Sequence, residues 1–388
     1  MNAAPSRGFS QTEFETRTQT AQRLMRALKI DCMLLTTEAD VRYFSGFFTQ
    51  FWQSPARPWF LLVPLEGKPI AVIPTIGEVG MQSTWVEDIR CWSAPQPEDD
   101  GISLLKQAIK DLPGRFARLG VPLGHGSHLR MPARDFRKLK AGLGLSVVDC
   151  SDLLTRLCSI KSVAEVEKIQ HACELVSDSF EALPGFAKPG DSERQIVQEM
   201  KFDLLRRGAD DVPFMVSASG PDGYDNIIMG PGDRVLEKGD LLIIDTGTVY
   251  DGYFCDFDRN FAFVRASEEA NRVYELVFKA TSAGFNIARP GATTFDLWQA
   301  MWAVLEAGGA QGNDVGRMGH GFGAQLTEWP SISEKDHTEL KDGMVITLEP
   351  GMSYDNGKHM VHEENIVITE DGARMLSRRA PEFLPVID

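Results

Sequence analysis

Five ionisable residues in the second half of the chain lie in or beside apolar, strand-like segments. They are Asp245, Asp256, His320, Glu349 and Glu363. Ionised carboxylates are rarely buried in such surroundings unless they are paired with a cation or bind a metal. A fold that buries these strands must therefore also bring positive charge to the four acids.

The spacing and chemistry of these residues favour a metal site. Asp245 and Asp256 are eleven residues apart, so a hairpin between them would bring both carboxylates to one place. Four converging carboxylates would raise one another's pKa values, and two divalent cations would supply the missing charge. Each motif alone is typical of a turn, a loop or a solvated pair. The ordered set of five is what favours a metal site.

Composition limits the partners of the protein. The 388 residues suggest about two domains, and 43% hydrophobic with 24% charged residues is typical of a folded protein. Forty Lys and Arg against 55 Asp and Glu give a net charge of −15, which argues against nucleic acid or an anionic membrane as the partner. Six cysteines without C-x-x-C spacing, a polar N-terminus and no long apolar run predict a cytoplasmic protein without a membrane span.

Hydrophobic periodicity divides the chain into two predicted domains. Residues 1–157 alternate helical patterns with short apolar strands, which predicts an α/β domain. Residues 158–388 form an α+β domain that carries the five ionisable residues. The pattern predicts helices near 12–28, 103–112, 132–143, 164–183, 193–207, 268–288 and 294–307. It predicts strands near 31–36, 59–64, 69–74, 119–121, 241–245, 253–264, 322–326, 345–348 and 365–369.

The ordered motifs resemble those of the pita-bread metallopeptidases, which include methionine aminopeptidase, aminopeptidase P, prolidase and creatinase. The motifs are Asp245-Thr-Gly, Asp256-Phe-Asp-Arg, Gly-His320-Gly-Phe-Gly, Leu-Glu349-Pro-Gly and Glu363-Glu-Asn-Ile-Val-Ile-Thr. Residues 41–47 are similar to the N-terminal domain of the creatinase, aminopeptidase P and prolidase branch, and residues 160–169 to the start of its catalytic domain. The resemblance implies an α+β, C-terminal pita-bread fold with a smaller N-terminal α/β creatinase-like domain.

The resemblance also implies roles for the five residues. Asp245 would bind one metal, His320 the other, and Asp256 and Glu363 would bridge both. Glu349 would be a ligand that also takes a proton from the bridging water. Oxygen ligands with one imidazole suit Mn(II), the expected metal, and also Fe(II), Co(II) or Zn(II).

Two histidines that the family's peptidases usually carry are absent. The position seven residues after His320 holds Thr327, and the loop at residues 226–230 has no histidine. Losing an oxyanion donor costs about two to three powers of ten in rate. We expect Thr327 and the metals to compensate in part, and His362, beside Glu363, to be a further catalytic candidate.

Other residues are weaker candidates. Trp52, Arg57 and Trp329 could form an aromatic and cationic rim that selects the substrate, although an aromatic core and a surface arginine explain them equally well. Glu364 is expected to lie behind the ligands. Asp258 and Arg259 are expected to form a structural pair beneath the site.

These features lead to three functional hypotheses. The first is a dinuclear metal hydrolase that cleaves an amide C–N bond with a metal-bridging hydroxide, as a Xaa-Pro dipeptidase or aminopeptidase. The second keeps the site but acts on a small non-peptide, such as a cationic osmolyte, in the manner of creatinase, ectoine hydrolase or dimethylsulfoniopropionate lyase. The third is a metal-free binding protein, which an intact ligand set disfavours. By resemblance we also expect a homodimer in which one subunit's N-terminal domain helps to wall the other's site.

Overall fold

The computed structural model describes residues 3–54, 57–310, 316–355 and 357–388. Their contacts divide into two compact units, Ser6–Cys158 and Ser159–Asp388. The second unit also includes Pro5, whose carbonyl accepts a hydrogen bond from the Tyr250 hydroxyl at 2.7 Å. The domain limits of 1–157 and 158–388 stay a prediction. Among the described helices, none has the length and apolar character needed to cross a bilayer.

Over the residues that the structure describes, the first unit is an α/β unit built on one six-stranded sheet. Its helices α1 to α6 are Gln11–Leu28, Glu38–Ser45, Glu78–Gln82, Ile102–Lys110, Ala133–Ala141 and Ser151–Cys158. Its strands β1 to β6 are Cys32–Leu35, Phe60–Pro64, Ile70–Pro74, Asp88–Trp92, Arg118–Val121 and Ser146–Asp149. The strand order is β4-β3-β2-β1-β5-β6, in which β2 pairs antiparallel with β1 and β3 and the other neighbours are parallel.

Both faces of this sheet are covered, because its central strands are apolar on both sides. Met33 and Leu35 of β1 pack in one core, whereas Cys32 and Leu34 pack in the other. Successive side chains of a strand point to opposite faces, so an uninterrupted apolar run supplies two cores.

In its described residues, the second unit combines four helices with two five-stranded sheets. Helices α7 to α10 are Val163–Ala182, Glu193–Arg207, Glu268–Ile287 and Thr294–Ala307. Strands β7 to β18 are Asp211–Pro221, Asp240–Tyr250, Tyr253–Phe254, Phe257–Phe263, His320–Gly321, Glu328–Ser331, Val345–Leu348, Gly351–Tyr354, Lys358–Val361, Glu364–Thr369, Gly372–Met375 and Val386–Ile387. One sheet has the order β18-β10-β8-β7 with β9 beside β8, and the other has the order β12-β11-β13-β16-β17. Strands β14 and β15 form a separate hairpin.

The helix starts follow from local side-chain chemistry. Reciprocal capping boxes join Ser162 with Glu165 before α7, Ser192 with Gln195 before α8, and Thr293 with Asp296 before α10. Each box satisfies backbone N–H groups that have no partner within the helix. The predicted starts of these helices fall within a residue or two of the observed ones.

The strand predicted at residues 322–326 is wrong. Strand β11 ends at Gly321, and the chain turns back through irregular residues to β12 at Glu328. A Cβ atom on Gly321 would lie 2.4 Å from the Trp329 carbonyl oxygen, so the absence of a side chain allows this close return.

Candidate metal centre

The first sheet positions the two aspartates through a tight hairpin. Asp251 and Gly252 have φ angles of 49° and 78° and connect β8 to β9, as in the two-residue turns that suit antiparallel strands. Phe257 pairs with Thr246 in the ladder, so Asp256 lies one step further on, opposite Gly247. A Cβ atom on Gly247 would lie 1.8 Å from the Cys255 carbonyl oxygen. Glycine is therefore needed for the close approach that puts Asp256 near Asp245.

The second sheet positions the other three residues. Strands β13 and β16 are antiparallel, with Leu348 paired with Glu364. One step beyond that pair, Glu349 lies opposite Glu363. His320 begins β11, which is paired with β13 through Gly321.

Asn365 joins the two sheets at the centre. Its Oδ1 accepts a hydrogen bond from the Asp256 backbone N–H at 3.0 Å, and its Nδ2 donates to the Asp256 carbonyl. Arg259 of β10 donates to the carbonyl of Glu363 at 2.9 Å. These contacts hold Asp256 and Glu363 beside each other, although 107 residues separate them in the sequence.

Three of the predicted ligands converge. Asp256, His320 and Glu363 each offer one ligand atom, and these atoms lie within 4.8 Å of one another. Their side chains are buried, with exposures of 6%, 3% and 2% for the residues in that order. The His320 Nε2 atom is 3.3 Å from Asp256 Oδ2.

His320 presents a lone pair to this cluster. Its Nδ1 lies 2.8 Å from the carbonyl oxygen of Gly321, which can only accept, so Nδ1 carries the proton. Burial lowers the pKa of His320, which keeps the ring neutral. The unprotonated Nε2 therefore faces the carboxylates, as in a histidine metal ligand oriented by its other nitrogen.

Asp245 and Glu349 lie close enough to perturb these carboxylates. Burial, followed by repulsion from Asp256 and Glu349, raises the pKa of Asp245 well above its ordinary value. Burial and repulsion from the same two acids, and then from Asp245, raise the pKa of Glu363. Burial raises the pKa of Asp256 to about 7. The five predicted residues thus form one electrostatically linked cluster.

The cluster fits divalent cations. Within the described residues, Asp245 Oδ1 and Glu363 Oε1 are buried and have no hydrogen-bond partner. Buried polar atoms are normally satisfied, so unpartnered carboxylate oxygens beside a histidine lone pair need a positive ligand. A metal would use these atoms and remove the repulsion that raises the pKa values.

Glu364 has a different environment from Glu363. It accepts hydrogen bonds from Arg259 at 3.0 Å, from the Ala380 N–H at 2.8 Å and from the Ser377 hydroxyl. Burial acts to raise the pKa of Glu364, but Arg259 and the other donors outweigh it, and the pKa is lowered. Arg259 forms its ion pair with Glu364, and its contact with Asp258 is a hydrogen bond to the backbone carbonyl. The Asp258 carboxylate lies beside Asp245 in the ladder, and burial and Asp245 raise its pKa.

The two further catalytic candidates, Thr327 and His362, differ in their exposure to solvent. Thr327 is exposed, and its Oγ1 accepts a hydrogen bond from Arg317 at 3.4 Å. His362 is buried, with Nδ1 2.8 Å from the Thr281 hydroxyl and its ring against Phe278. Burial lowers the pKa of His362 to about 3, so its ring is neutral. Sequence reasoning missed Arg317, which has no distinguishing motif and approaches Glu349 to 3.5 Å only in the fold.

The predicted rim residues are split between the two units. Trp52 packs in a core of the first unit beside Trp59 and beneath the Arg130 guanidinium. The carbonyl of Arg57 also accepts from Arg130. In the second unit Trp329 is 41% exposed and donates from Nε1 to the Thr338 hydroxyl.

Comparison with known proteins agrees with this architecture. The profile of metallopeptidase family M24 matches residues 167–370, and that of the creatinase/prolidase N-terminal domain matches residues 17–160. An uncharacterized peptidase of Staphylococcus saprophyticus is 28% identical over 91% of this chain and 96% of its own. The Xaa-Pro dipeptidase of Pyrococcus furiosus is 31% identical over 60% of this chain and 67% of its own.

Solved structures agree as well. The dipeptidase PepE of Mycobacterium ulcerans superposes with a TM-score of 0.85 at 26% identity, covering 98% of this chain and 99% of that one. The prolidase of Thermococcus sibiricus also gives 0.85 at 26% identity, covering 98% and 100%. The chain belongs to metallopeptidase family M24 and is a hydrolase of that type. The predicted pita-bread fold with a creatinase-like N-terminal domain is confirmed.

Proposed function

We propose that the protein is a dinuclear metal-dependent hydrolase that cleaves the amide bond before proline in Xaa-Pro dipeptides or at the N-terminus of longer peptides. The observation that carries the proposal is the convergence of Asp256, His320 and Glu363 within 4.8 Å. Two similar proteins support Xaa-Pro peptides as the substrate class, because that of Pyrococcus furiosus is named a Xaa-Pro dipeptidase and that of Thermococcus sibiricus a prolidase.

Five residues would hold the two ions. We assign Asp245, Asp256, His320, Glu349 and Glu363 as ligands, with manganese as the expected metal and iron, cobalt or zinc as alternatives. Two divalent cations bound there would lower the pKa of a shared water and polarise the substrate carbonyl. By the family resemblance, Asp256 and Glu363 would serve both ions.

Glu349 is suited to moving a proton. It is partly exposed, unlike Glu363, and so can reach a substrate. In the metal-free cluster burial raises its pKa, although His320 and Arg317 act to lower it. A carboxylate at the open side of the centre would accept a proton from the water and deliver it to the leaving nitrogen. His362 is neutral and its Nε2 lies 3.9 Å from Glu364 Oε1, so its contribution would be to support Glu364.

A second substrate class is favoured by one specific observation. Thr327 occupies the position of the usual histidine, and the exposed ring of Trp329 lies two residues further on. An aromatic face attracts quaternary or sulfonium cations. The alternative is therefore hydrolysis or lysis of a small cationic osmolyte at the same metal centre.

The test begins with metal-depleted protein reloaded with Mn(II). Turnover of a panel of Xaa-Pro dipeptides supports the proposal, whereas turnover of cationic osmolytes alone supports the alternative. No turnover of either panel with two equivalents of metal bound would refute both. Asp256→Asn should lose bound metal, measured by inductively coupled plasma mass spectrometry. The control Asp233→Asn, at an exposed position, should keep its metal.

The proposal includes assembly and location. We propose a cytoplasmic homodimer, as the family resemblance implies. Light scattering at several protein concentrations tests the dimer, and cell fractionation tests the location.

A further inference from the structure

Arg317 connects two side chains of the proposed site. Its Nε lies 3.5 Å from Glu349 Oε1, and its terminal nitrogen donates to Thr327 Oγ1 at 3.4 Å. The Arg317 side chain is 36% exposed, so it lies at the open side of the cluster. One planar guanidinium thus contacts both the proposed proton carrier and the residue in the place of the missing histidine.

The hydrogen bond from Arg317 determines whether the Thr327 hydroxyl donates or accepts in a further hydrogen bond. A guanidinium has donors and no acceptor, whereas a hydroxyl has one hydrogen to donate and two lone pairs. Because Arg317 donates to Thr327, the hydroxyl oxygen is the acceptor in that bond. Its own hydrogen is not used in that bond, so Thr327 can donate it to another group.

The backbone around Thr327 is anchored on its C-terminal side. Glu328 forms a 2.8 Å ion pair with Lys161, and both side chains are largely buried, at 8% and 2% exposure. The Gln325 N–H also donates to Glu328 at 3.0 Å. These bonds hold the turn at residues 325–328, and the hydrogen bond from Arg317 holds the Thr327 hydroxyl oxygen.

We propose that Arg317 is a positioning residue that orients the Thr327 hydroxyl as a hydrogen-bond donor to the oxygen of the substrate's reacting carbonyl. This inference rests on the proposed function. Thr327 contacts the substrate and is the catalytic residue of the pair, whereas Arg317 acts through it. A preorganised donor at that oxygen stabilises the charge that develops there during the reaction.

The experiment is a double-mutant cycle with Arg317→Met and Thr327→Val, assayed on the best Xaa-Pro dipeptide. Each single variant should lower kcat by about ten- to a hundredfold with little change in KM, which is less than the loss of a fully buried donor. The double variant should be no slower than the slower single variant, because Arg317 acts through Thr327. Thr327→Ser should retain most activity, and Thr327→His should remove the dependence on Arg317.

If Arg317 only supported the fold of the site, Arg317→Met should also lose metal. Under the inference, Thr327→Val and Arg317→Met should each still bind two equivalents of Mn(II), measured by calorimetric titration. Arg194→Met is the matched control, since Arg194 forms an exposed ion pair with Asp233 at 2.7 Å. Multiplicative losses in the double variant, or loss of metal in Arg317→Met, would overturn the inference while leaving an active wild type and the proposed function intact. An inactive wild type would overturn both.

Discussion

Replacing Arg259 with methionine should be among the most destabilising single changes in the second unit. The guanidinium is buried and donates to the carbonyls of Asp258 and Glu363 at 2.6 and 2.9 Å, to Glu364 Oε2 at 3.0 Å and to the Arg378 carbonyl. Methionine fills much of the same volume but donates nothing. Arg259→Met therefore removes the cation from a fully buried carboxylate and leaves three carbonyls without their donor.

The size of the effect follows from the pairing of Glu364. Removing one partner of a buried ion pair costs about 3–5 kcal/mol, because the remaining charge stays buried. The Ser377 hydroxyl and the Ala380 N–H still donate to Glu364, so we expect the middle of that range. A domain of 150–250 residues loses roughly 2–4 °C in Tm for each kcal/mol. The transition of the second unit should fall by roughly 8–16 °C.

Differential scanning calorimetry of metal-depleted protein measures this change without the contribution of bound metal. Adding Glu364→Gln to Arg259→Met should recover part of the loss, because the uncompensated charge is then absent. Arg194→Met, at an exposed pair, should shift the transition by less than about 2 °C. A loss below about 1 kcal/mol in Arg259→Met, or no recovery in the double variant, would refute the reasoning.

Two other predictions concern the same centre. Gly247→Ala should lower the free energy of unfolding by about 1–3 kcal/mol or more, because the new Cβ would lie 1.8 Å from the Cys255 carbonyl oxygen. The variant should also bind less metal. Wild-type stability and metal content in this variant would contradict the proposed close approach. The stability of metal-free protein should fall as pH rises from about 4 to about 7, because folded Asp256, with a pKa of about 7 against an ordinary 3.8, keeps a proton that the unfolded chain releases. Melting temperatures in a pH series test this, and Asp256→Asn should flatten the slope. A melting temperature that rises across this range would show that folded Asp256 does not keep its proton.

The helices of the second unit were predictable because their signals are local. Capping residues such as Ser162, Ser192 and Thr293 stand beside amphipathic patterns, and neither signal depends on the rest of the chain. Strand β7, Asp211–Pro221, was missed because its sequence includes Pro213 and small polar residues. It is a strand because β8 offers a long apolar partner, which is a property of the sheet and not of the segment.

The candidate ligands were predictable for a different reason. An acid at the end of an apolar strand, such as Asp245, is by itself typical of a turn, whereas four acids and a histidine in this order favour a metal site. Asn365 and Arg317 could not be found in this way. An asparagine in a strand and a partly exposed arginine are ordinary residues, and their contacts with Asp256 and Glu349 exist only after the chain has folded.

The separation of the candidate ligands along the chain has a consequence for biosynthesis. Asp245 and Asp256 leave the ribosome well before Glu349 and Glu363. Asn365, whose hydrogen bonds to the Asp256 backbone join the two sheets, comes last. A partly synthesised chain therefore has two carboxylates from the first sheet and none of the ligands from the second. Under the proposed function, the nascent protein cannot hold its pair of ions, and metal acquisition must follow completion of both sheets. The metal that the protein carries would then be set by the ions available to the finished fold, after translation of these segments has ended.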